Sequence, residues 1–166
     1  MAFDAFLKID GIPGESTDDK HKDWIEILSY SHGLTQPSSA TASSVGGGTT
    51  ERVNHDDLSV TKLLDKSSPK LYELCCTGKH IPKVSLELCR AGGDKLKYME
   101  VVMEQVIISA AIPAGAAQGD NAFPSESVSF NYGKIKWTYT QQKRTDGSGG
   151  GNVTGGWDLT ANKVAS

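Results

Sequence analysis

The sequence predicts a mainly β fold, a compact antiparallel β-barrel of about seven or eight strands with one short helix packed on its side and one long extended loop. Three observations support this fold class. Segments with period-two alternation of apolar and polar residues follow one another directly, and a single segment has helical spacing. The Ser/Gly/Thr-rich stretch 36–54 offers almost nothing to a core. The 166 residues fit a single domain, 1–166, from which loop 36–54 projects.

The N-terminal part of the chain predicts two strands around a polar hinge. Leu7 and Ile9 alternate with Lys8 and Asp10 in the first strand, and the glycines and proline of GIPG end it. In the next segment, DWIEILSYSHGL, one face is aromatic and aliphatic, while the other changes from isoleucine to serine halfway along. We therefore expect the second strand to pass from the core to a surface or an interface.

One helix is predicted after the loop and the strand that follows it. Ser67 or Ser68 is a candidate N-cap, Pro69 suits the first helical position, and Gly78 suits the C-terminal end. Apolar residues between these ends recur at i, i+3 and i+4, which predicts a helix of about two to three turns with one buried stripe.

Strands occupy most of the C-terminal half. The segments KVSLELCR and KYMEVVMEQVIISA alternate, with a Gly-Gly-Asp turn between them. In SVSFNYGKIKWTY the apolar residues change from even to odd positions at Gly133, which predicts a β-bulge or a sharp bend. The segment WDLTANKV could supply a last short strand. Antiparallel pairing is expected because the strands mostly follow one another directly.

The composition narrows the class of protein. The net charge is −3 and the isoelectric point is near 5.8, so nothing predicts a nucleic-acid-binding surface. The longest apolar run, VIISAAIPAGAA, is interrupted by Pro113 and Gly115 and is far shorter than the ~20 residues of a membrane-spanning helix. The N-terminus lacks the features of a secretory signal peptide, so we expect synthesis in the cytoplasm. Three cysteines, two of them adjacent, favour buried, reduced thiols.

No cluster in the sequence has the spacing of a catalytic or metal site. His55, Asp56 and Asp57 are adjacent, but neighbours on an extended chain point in opposite directions, and no second His or Cys lies at ligand spacing. Glu100 and Glu104 share one strand face, which we expect to be solvated or subunit-facing. The serine elbow of the α/β-hydrolases is missing. We therefore predict no enzyme activity, no cofactor and no metal.

A series of segments carries a resemblance to a known family. It begins with FLKIDGIPGES and DWIEILSYSHGLTQ and continues through the glycine run 46–48. It includes HDDLSVTKLLDKSSPKL and TGKHIP in the middle, and FNYGKIKWTY and VTGGWDLTANK in the C-terminal half. With these segments in consistent order, the whole chain from Met1 to about Lys163 resembles the Hcp (haemolysin-coregulated protein) family, the tube protein of the bacterial type VI secretion system. The consistent order makes the match more specific than one short motif.

The resemblance implies a subunit of homohexameric rings that stack into a hollow tube, which a contracting sheath expels. The implied partners are further copies of the chain, the sheath and spike components, and small effector proteins held in the ring lumen. The implied location is the bacterial cytoplasm during assembly, and then the extracellular space or a target cell.

Two sets of residues acquire roles by this resemblance. Ser31 lies in the segment that family members turn toward the channel, so it is a candidate effector-facing residue. Loop 36–54 corresponds to the loop that reaches the neighbouring ring in the family. The candidate inter-ring residues near its tip are Ser38, Ser44, Gly46, Gly47 and Gly48.

Two other functions stay open at the level of sequence. The first is a stand-alone β-barrel binding module, for example for carbohydrate, with Trp157 or Tyr132 as stacking surfaces. The second is a small hydrolase that uses His55 or the pair Glu100 and Glu104. Six-fold rings in images would favour the tube subunit. Specific ligand binding by a monomer would favour the binding module. An activity that is lost in His55→Ala would favour the hydrolase.

Overall fold

The computed structural model describes residues 2–37, 52–118, 123–143 and 149–165. One helix, α1, spans Ser68–Thr77. The strands are β1 (Phe3–Ile9), β2 (Ile25–Ile27), β3 (Ser29–Ser31), β4 (Leu34–Thr35), β5 (Asn54–His55), β6 (Leu58–Leu63), β7 (Ile81–Arg90), β8 (Lys97–Ala114), β9 (Ser125–Asn131), β10 (Lys134–Gln142), β11 (Gly149–Asp158) and β12 (Lys163–Val164). Every strand pairing is antiparallel. The mainly β fold class with a single short helix is therefore confirmed.

The number of strands depends on how the short ones are counted. Within the described residues, β1, β6, β7, β8, β9, β10 and β11 each have six residues or more. The other five have only two or three residues. Strands of two or three residues are too short to show a period-two pattern of their own, so the sequence does not distinguish them from the neighbouring segments.

The sheet curls so that its pairing path almost returns to its start. Strand β1 pairs with β2 and β7, β7 with β8, β8 with β9, β9 with β6, and β6 with β3. Only Leu28 separates β2 from β3, and its backbone N–H donates to the Thr61 carbonyl at 2.7 Å. Strands β10, β11 and β12 extend from the other edge of the first half of β8.

Strand β8 changes partner where it bends. Its first half lies between β7 and β10, and its second half pairs with β9. Gln105 has a φ of 54° at this point. Gly133 connects β9 to β10 alongside it, and a Cβ on Gly133 would lie 2.7 Å from the Gln105 Oε1 atom. The bend predicted at Gly133 is therefore present, and the Gln105 side chain would have to move to admit a larger residue there.

The core lies inside the curled sheet. Ala5, Leu7 and Ile9 of β1 are buried, as their alternation predicts, together with aliphatic residues of β2, β6, β7, β8 and β9. The second segment passes from the core to the surface, as its change from isoleucine to serine predicts. Ile25 and Ile27 of β2 are buried, whereas Ser29 and Ser31 of β3 are exposed. Leu28, which lies between the two strands, is 58% exposed.

Helix α1 has the predicted ends. Ser67 is the N-cap, a proline lies in the first turn, and Gly78 ends the helix with a φ of 64°. The Gly78 N–H donates to the Leu74 carbonyl at 3.0 Å. Leu71 is fully buried, which anchors the helix against the sheet.

A buried ion pair joins the start of α1 to the sheet. Lys62 of β6 lies directly opposite Glu126 of β9, and both side chains are fully buried. The Lys62 ammonium donates to Glu126, to Asp65 at 3.0 Å and to Ser68 at 3.2 Å. Ser68 and Tyr72 of α1 donate their hydroxyls to the same Glu126 carboxylate. Burial and the adjacent Glu126 raise the pKa of Tyr72 to about 12.

The cysteines are free thiols in different surroundings. Cys89 is buried, Cys75 is half-buried and Cys76 is exposed. The expectation of buried thiols is thus wrong for Cys76, because the buried stripe of a short helix covers only one side. In the described part of the chain, none of the helical structure has the length and apolar character needed to cross a bilayer.

Candidate assembly surfaces

A row of small hydroxyl side chains covers one face of three adjacent strands. In β3, β6 and β9, Ser31 pairs with Ser59 and Ser59 with Ser129, while Ser29, Thr61 and Ser127 form the parallel row. The Ser59 and Ser129 hydroxyls are 2.7 Å apart. These side chains alternate with the buried residues of the core side. We call this surface the hydroxyl face, and its members are Ser29, Ser31, Ser59, Thr61, Ser127 and Ser129.

The hydroxyl face is shallow and carries no charge of its own. Ser29 and Ser31 are exposed and the other four members are half-buried. Ala110 of β8 pairs with Ser129 and continues the same surface with another small side chain. A surface of this kind offers hydrogen bonds from small neutral side chains, and the Asp57 carboxylate at its border accepts from Ser109 and Asn131.

Two histidines contact one tyrosine at the base of loop 36–54. Strands β4 and β5, which flank the loop, pair through Leu34 with His55 and Thr35 with Asn54. The Tyr132 hydroxyl lies 2.5 Å from the His32 Nε2 atom and 2.8 Å from the His55 Nδ1 atom. We call these three residues the Tyr132 cluster. Because His32 precedes β4 and His55 ends β5, the cluster joins both ends of the loop to the main sheet.

The protonation states of the cluster follow from its burial. Burial lowers the pKa of His32, and the nearby His55 lowers it further, although Asp56 opposes the shift. Burial also lowers the pKa of His55. The pKa of Tyr132 is raised, mainly by burial and then by Asp57 and Asp56. Neutral rings and a protonated phenol are therefore favoured, and the phenol can donate to one ring while it accepts from the other.

An open cleft of about 680 Å³ lies beside the loop base. Leu34, Arg52 and His55 line one side, and the half-buried Trp137 and Trp157 line the other. Tyr132, the second stacking surface considered for a carbohydrate module, is only 5% exposed and is bonded to two histidines. This burial removes Tyr132 as a platform for a sugar ring.

Two separate groups stand out among the exposed apolar side chains of the described residues, which also include Phe3, Tyr30, Leu34 and Ile112. Leu28, Leu63 and Phe123 surround a groove of about 250 Å³ that also contains Glu15, Glu26 and Asp65. At the far end of the sheet, Tyr139 of β10 pairs with Val153 of β11, and Val164 of β12 pairs with Trp157. Tyr139 is 49% exposed, and Val153 and Val164 are each 71% exposed. Large apolar side chains left in water at two places are typical of surfaces that contact other molecules.

The candidate residues named from the sequence have different outcomes. Ser31 lies at the exposed end of β3, within the hydroxyl face. The five inter-ring candidates belong to the part of the chain outside the described residues. Their assignment therefore stays a prediction, and it concerns Ser38, Ser44, Gly46, Gly47 and Gly48.

The residues considered for catalysis are separated from one another. His55 contacts Tyr132, whereas Asp57 accepts hydrogen bonds from Ser109 at 2.5 Å and Asn131 at 2.9 Å. The extended chain thus points these neighbours at different partners, as their adjacency predicts.

The two glutamates considered with them are paired with lysines. Glu100 lies 2.5 Å from Lys97 and Glu104 lies 3.5 Å from Lys134. The side chains of Glu100 and Glu104 are 27% and 46% exposed, which is typical of a solvated strand face.

Comparisons with known proteins agree with the fold. A family model described as "Type VI secretion system effector, Hcp" matches residues 6–139. Protein hcp1 of Pseudomonas aeruginosa is 36% identical over 166 residues, which cover 99% of this chain and 100% of that protein. A solved type six secretion system protein has a TM-score of 0.92 at 35% identity, with 99% of this chain and 100% of that chain covered.

A second solved structure extends the agreement. Hcp1 from Salmonella typhimurium has a TM-score of 0.78 at 35% identity, again with 99% of this chain and 100% of that chain covered. The family match spans more than half of the chain, and the similarity to the solved structures extends over nearly all of it. The chain therefore belongs to the Hcp family of type VI secretion system proteins.

Proposed function

We propose that this chain is a non-catalytic subunit of a type VI secretion tube. Six copies form a ring, the rings stack into a hollow tube, and a contracting sheath expels the tube together with its spike. Effector proteins travel in the lumen. Residues 1–166 act as one ring-wall unit, and loop 36–54 projects from it toward the next ring.

The hydroxyl face is the observation that supports a lumen most directly. A channel that holds proteins and then releases them needs a surface without deep pockets or strong charge. Ser29, Ser31 and Ser59 supply short hydroxyls on such a surface, and the buried residues that alternate with them face the core. We assign the hydroxyl face to the lumen, with Ser31 in contact with effectors.

The two exposed apolar places support a head-to-tail ring. A ring built by rotation joins two different surfaces of neighbouring subunits and leaves neither surface free once it closes. The Leu28, Leu63 and Phe123 groove and the Tyr139 and Val153 pair are two such surfaces on one subunit. If one of these surfaces packs against a neighbouring subunit, apolar area that is exposed to water in the monomer becomes buried.

Native mass spectrometry and negative-stain images of the purified protein test the proposal. We expect a mass of six subunits and particles with six-fold symmetry and a central channel. Substitution of Val153→Glu should shift the mass toward the monomer, because it places a charge at the interface. A control substitution on the outer side of α1, Lys70→Glu, should leave the ring intact. A monomer of the parent protein at high concentration would contradict the proposal.

A further inference from the structure

A mixed cluster of nitrogen, oxygen and sulfur donors lies on the outer face of β1 and β7, away from the hydroxyl face. Glu87 and Cys89 are two residues apart on β7, so their side chains lie on one side of the strand. His21, from the segment between β1 and β2, lies over them. The His21 Nε2 atom is 2.6 Å from the Glu87 Oε2 atom and 3.9 Å from the Cys89 Sγ atom. All three donor atoms lie within 4.8 Å of one another.

The His21 ring is held firmly in this position. The ring stacks on Phe6 with centroids 4.2 Å apart and planes 5° apart, and the edge of Trp24 packs at 4.8 Å. The His21 Nδ1 atom lies 2.8 Å from an Asp18 carboxylate oxygen, and the other oxygen of Asp18 lies 2.7 Å from Lys95. A carboxylate behind a histidine fixes the tautomer that presents Nε2 as a metal ligand.

The segment that carries His21 is itself rigid. Its backbone N–H groups at Gly14 and Ser16 donate to the Asp23 and Trp24 carbonyls at 2.8 and 3.0 Å. His21 is 3% exposed and Cys89 is fully buried, so neither donor needs to be ordered by a bound ion. An ion pair between His21 and Glu87 does not need the Cys89 sulfur beside it, whereas a metal site uses nitrogen, oxygen and sulfur donors together.

We propose that His21, Glu87 and Cys89 bind a zinc ion through Nε2, Oε2 and Sγ, with Asp18 as the supporting carboxylate and a water as fourth ligand. Tetrahedral zinc needs Zn–S of about 2.3 Å and Zn–N and Zn–O of about 2.0–2.2 Å, so the donor pairs must lie roughly 3.3–3.6 Å apart. The separations of 2.6 Å between His21 and Glu87 and 3.9 Å between His21 and Cys89 lie on either side of these values, so both Glu87 and Cys89 must adjust by a few tenths of an ångström or more when the ion binds. Imidazole and thiolate donors favour zinc over calcium or magnesium.

The charges of the proposed site balance. A glutamate and a thiolate neutralise a divalent cation, Lys95 pairs with Asp18, and Lys97, which lies 3.5 Å from the other Glu87 oxygen, pairs with Glu100. Binding requires His21 Nε2 without a proton and Cys89 as the thiolate, so the ion competes with protons for these donors and its binding releases them. The Glu87 side chain is 15% exposed, which gives the ion a path from solvent.

Titration with Co²⁺, as a spectroscopic substitute for zinc, tests the proposal. The parent for the test is Cys75→Ser/Cys76→Ser, which removes the other two thiols without touching the cluster. We expect saturation near one ion per subunit, a thiolate-to-cobalt charge-transfer band in the near ultraviolet, and release of protons. The matched variant with an additional Cys89→Ser substitution should lose the charge-transfer band.

Two further measurements keep the outcome decisive. Zinc should raise the melting temperature of the Cys75→Ser/Cys76→Ser protein and not that of the Cys89→Ser variant. If the Cys89→Ser variant does not fold, X-ray absorption of the zinc-loaded parent should show one sulfur neighbour. The proposal is wrong if the parent shows no charge-transfer band, if the band survives in folded Cys89→Ser, or if the zinc has no sulfur neighbour. Ring formation is measured separately, so failure here does not bear on the tube proposal.

Discussion

At the scale of single residues, the Tyr132 hydroxyl has one proton and two histidine neighbours. It can donate to one ring and accept from the other only when at least one of the two rings keeps the nitrogen that faces Tyr132 free of a proton. Protonation of both rings would place two cations beside each other and leave the phenol proton without an acceptor. The junction between the sheet and loop 36–54 therefore depends on the charge state of these residues.

We expect this dependence to appear as a loss of stability in mild acid. The folded-state pKa values of His32 and His55 are lowered, so the unfolded chain binds more protons than the folded protein. The free energy of unfolding should thus be highest above the unfolded pKa of about 6.5 and fall as the pH drops from about 7 to about 5. Asp56 and Asp57 are the charged neighbours of the cluster.

Urea denaturation across this window measures the effect. The variant His32→Gln/His55→Gln keeps neutral polar side chains at both positions and should show a flatter decrease than the parent. An equal slope in the parent and the variant would show that these histidines do not set the acid sensitivity.

The second prediction at the scale of single residues concerns Ser31. Ser31→Glu should leave the folding free energy within about 0.5 kcal/mol, because the side chain is exposed on β3. It should reduce the amount of effector protein bound to purified rings, since six added carboxylates would surround the proposed lumen. Quantitative mass spectrometry of ring-bound proteins measures this, with the exposed helix residue changed in Thr77→Glu as the control. Equal effector binding in all three proteins would remove Ser31 from the lumen.

At the scale of elements, the contact between α1 and the sheet depends on a buried charge pair. Lys62→Met leaves the Glu126 carboxylate buried with hydroxyl donors alone. We expect a loss of about 3–5 kcal/mol in the free energy of unfolding, because one uncompensated charge remains. The exposed pair of α1 gives the control, since Lys70→Met should cost less than about 1 kcal/mol.

A double substitution separates the ion pair from the packing. Lys62→Met/Glu126→Leu removes both charges and should recover part of the stability that Lys62→Met loses. Chemical denaturation of the parent, Lys62→Met, Lys70→Met and the double variant compares their free energies of unfolding. A double variant that is no more stable than Lys62→Met would show that packing, and not the unpaired carboxylate, causes the loss.

A second prediction at the scale of elements concerns the turn after β1. A Cβ on Gly14 would lie 2.4 Å from the Trp24 carbonyl oxygen and 2.6 Å from the Ile25 Cα atom. Gly14→Ala should therefore lower the free energy of unfolding by about 1–3 kcal/mol, because backbone must move. Gly155→Ala is the matched control, since nothing lies within 4 Å of its added Cβ. Equal thermal midpoints for both variants would contradict the close packing of the turn.

At the scale of the whole molecule, loop 36–54 should affect stacking and not ring closure. Shortening Ser38–Gly48 to a short glycine and serine connection should leave six-fold rings in native mass spectrometry and reduce the fraction of stacked rings in images. Many weak contacts between rings add up along a tube, so removal of one contact per subunit weakens stacking strongly. Loss of the rings themselves would show that the loop belongs to the ring interface.

Patterns among neighbouring residues in the sequence determined much of the fold. Alternation places Leu7 and Ile9 in the core, the serine–proline and glycine signals give the ends of α1, and the phase change at Gly133 gives the bend between β9 and β10. Each of these features depends on residues that are close in the chain, which is why periodicity and turn chemistry reveal them.

Only the tertiary structure decided which polar groups meet. Lys62 and Glu126 are 64 positions apart, His21 and Glu87 are 66 apart, and His32 and Tyr132 are 100 apart. The break at Leu28 likewise depends on β3 leaving β1 to pair with β6. Strand pairing brings these residues together, and a local pattern has no information about the register of a distant partner strand. The sequence therefore determined a curled β-sheet of the Hcp kind, while pairing across that sheet decided where its buried charges, its histidine cluster and its hydroxyl face lie.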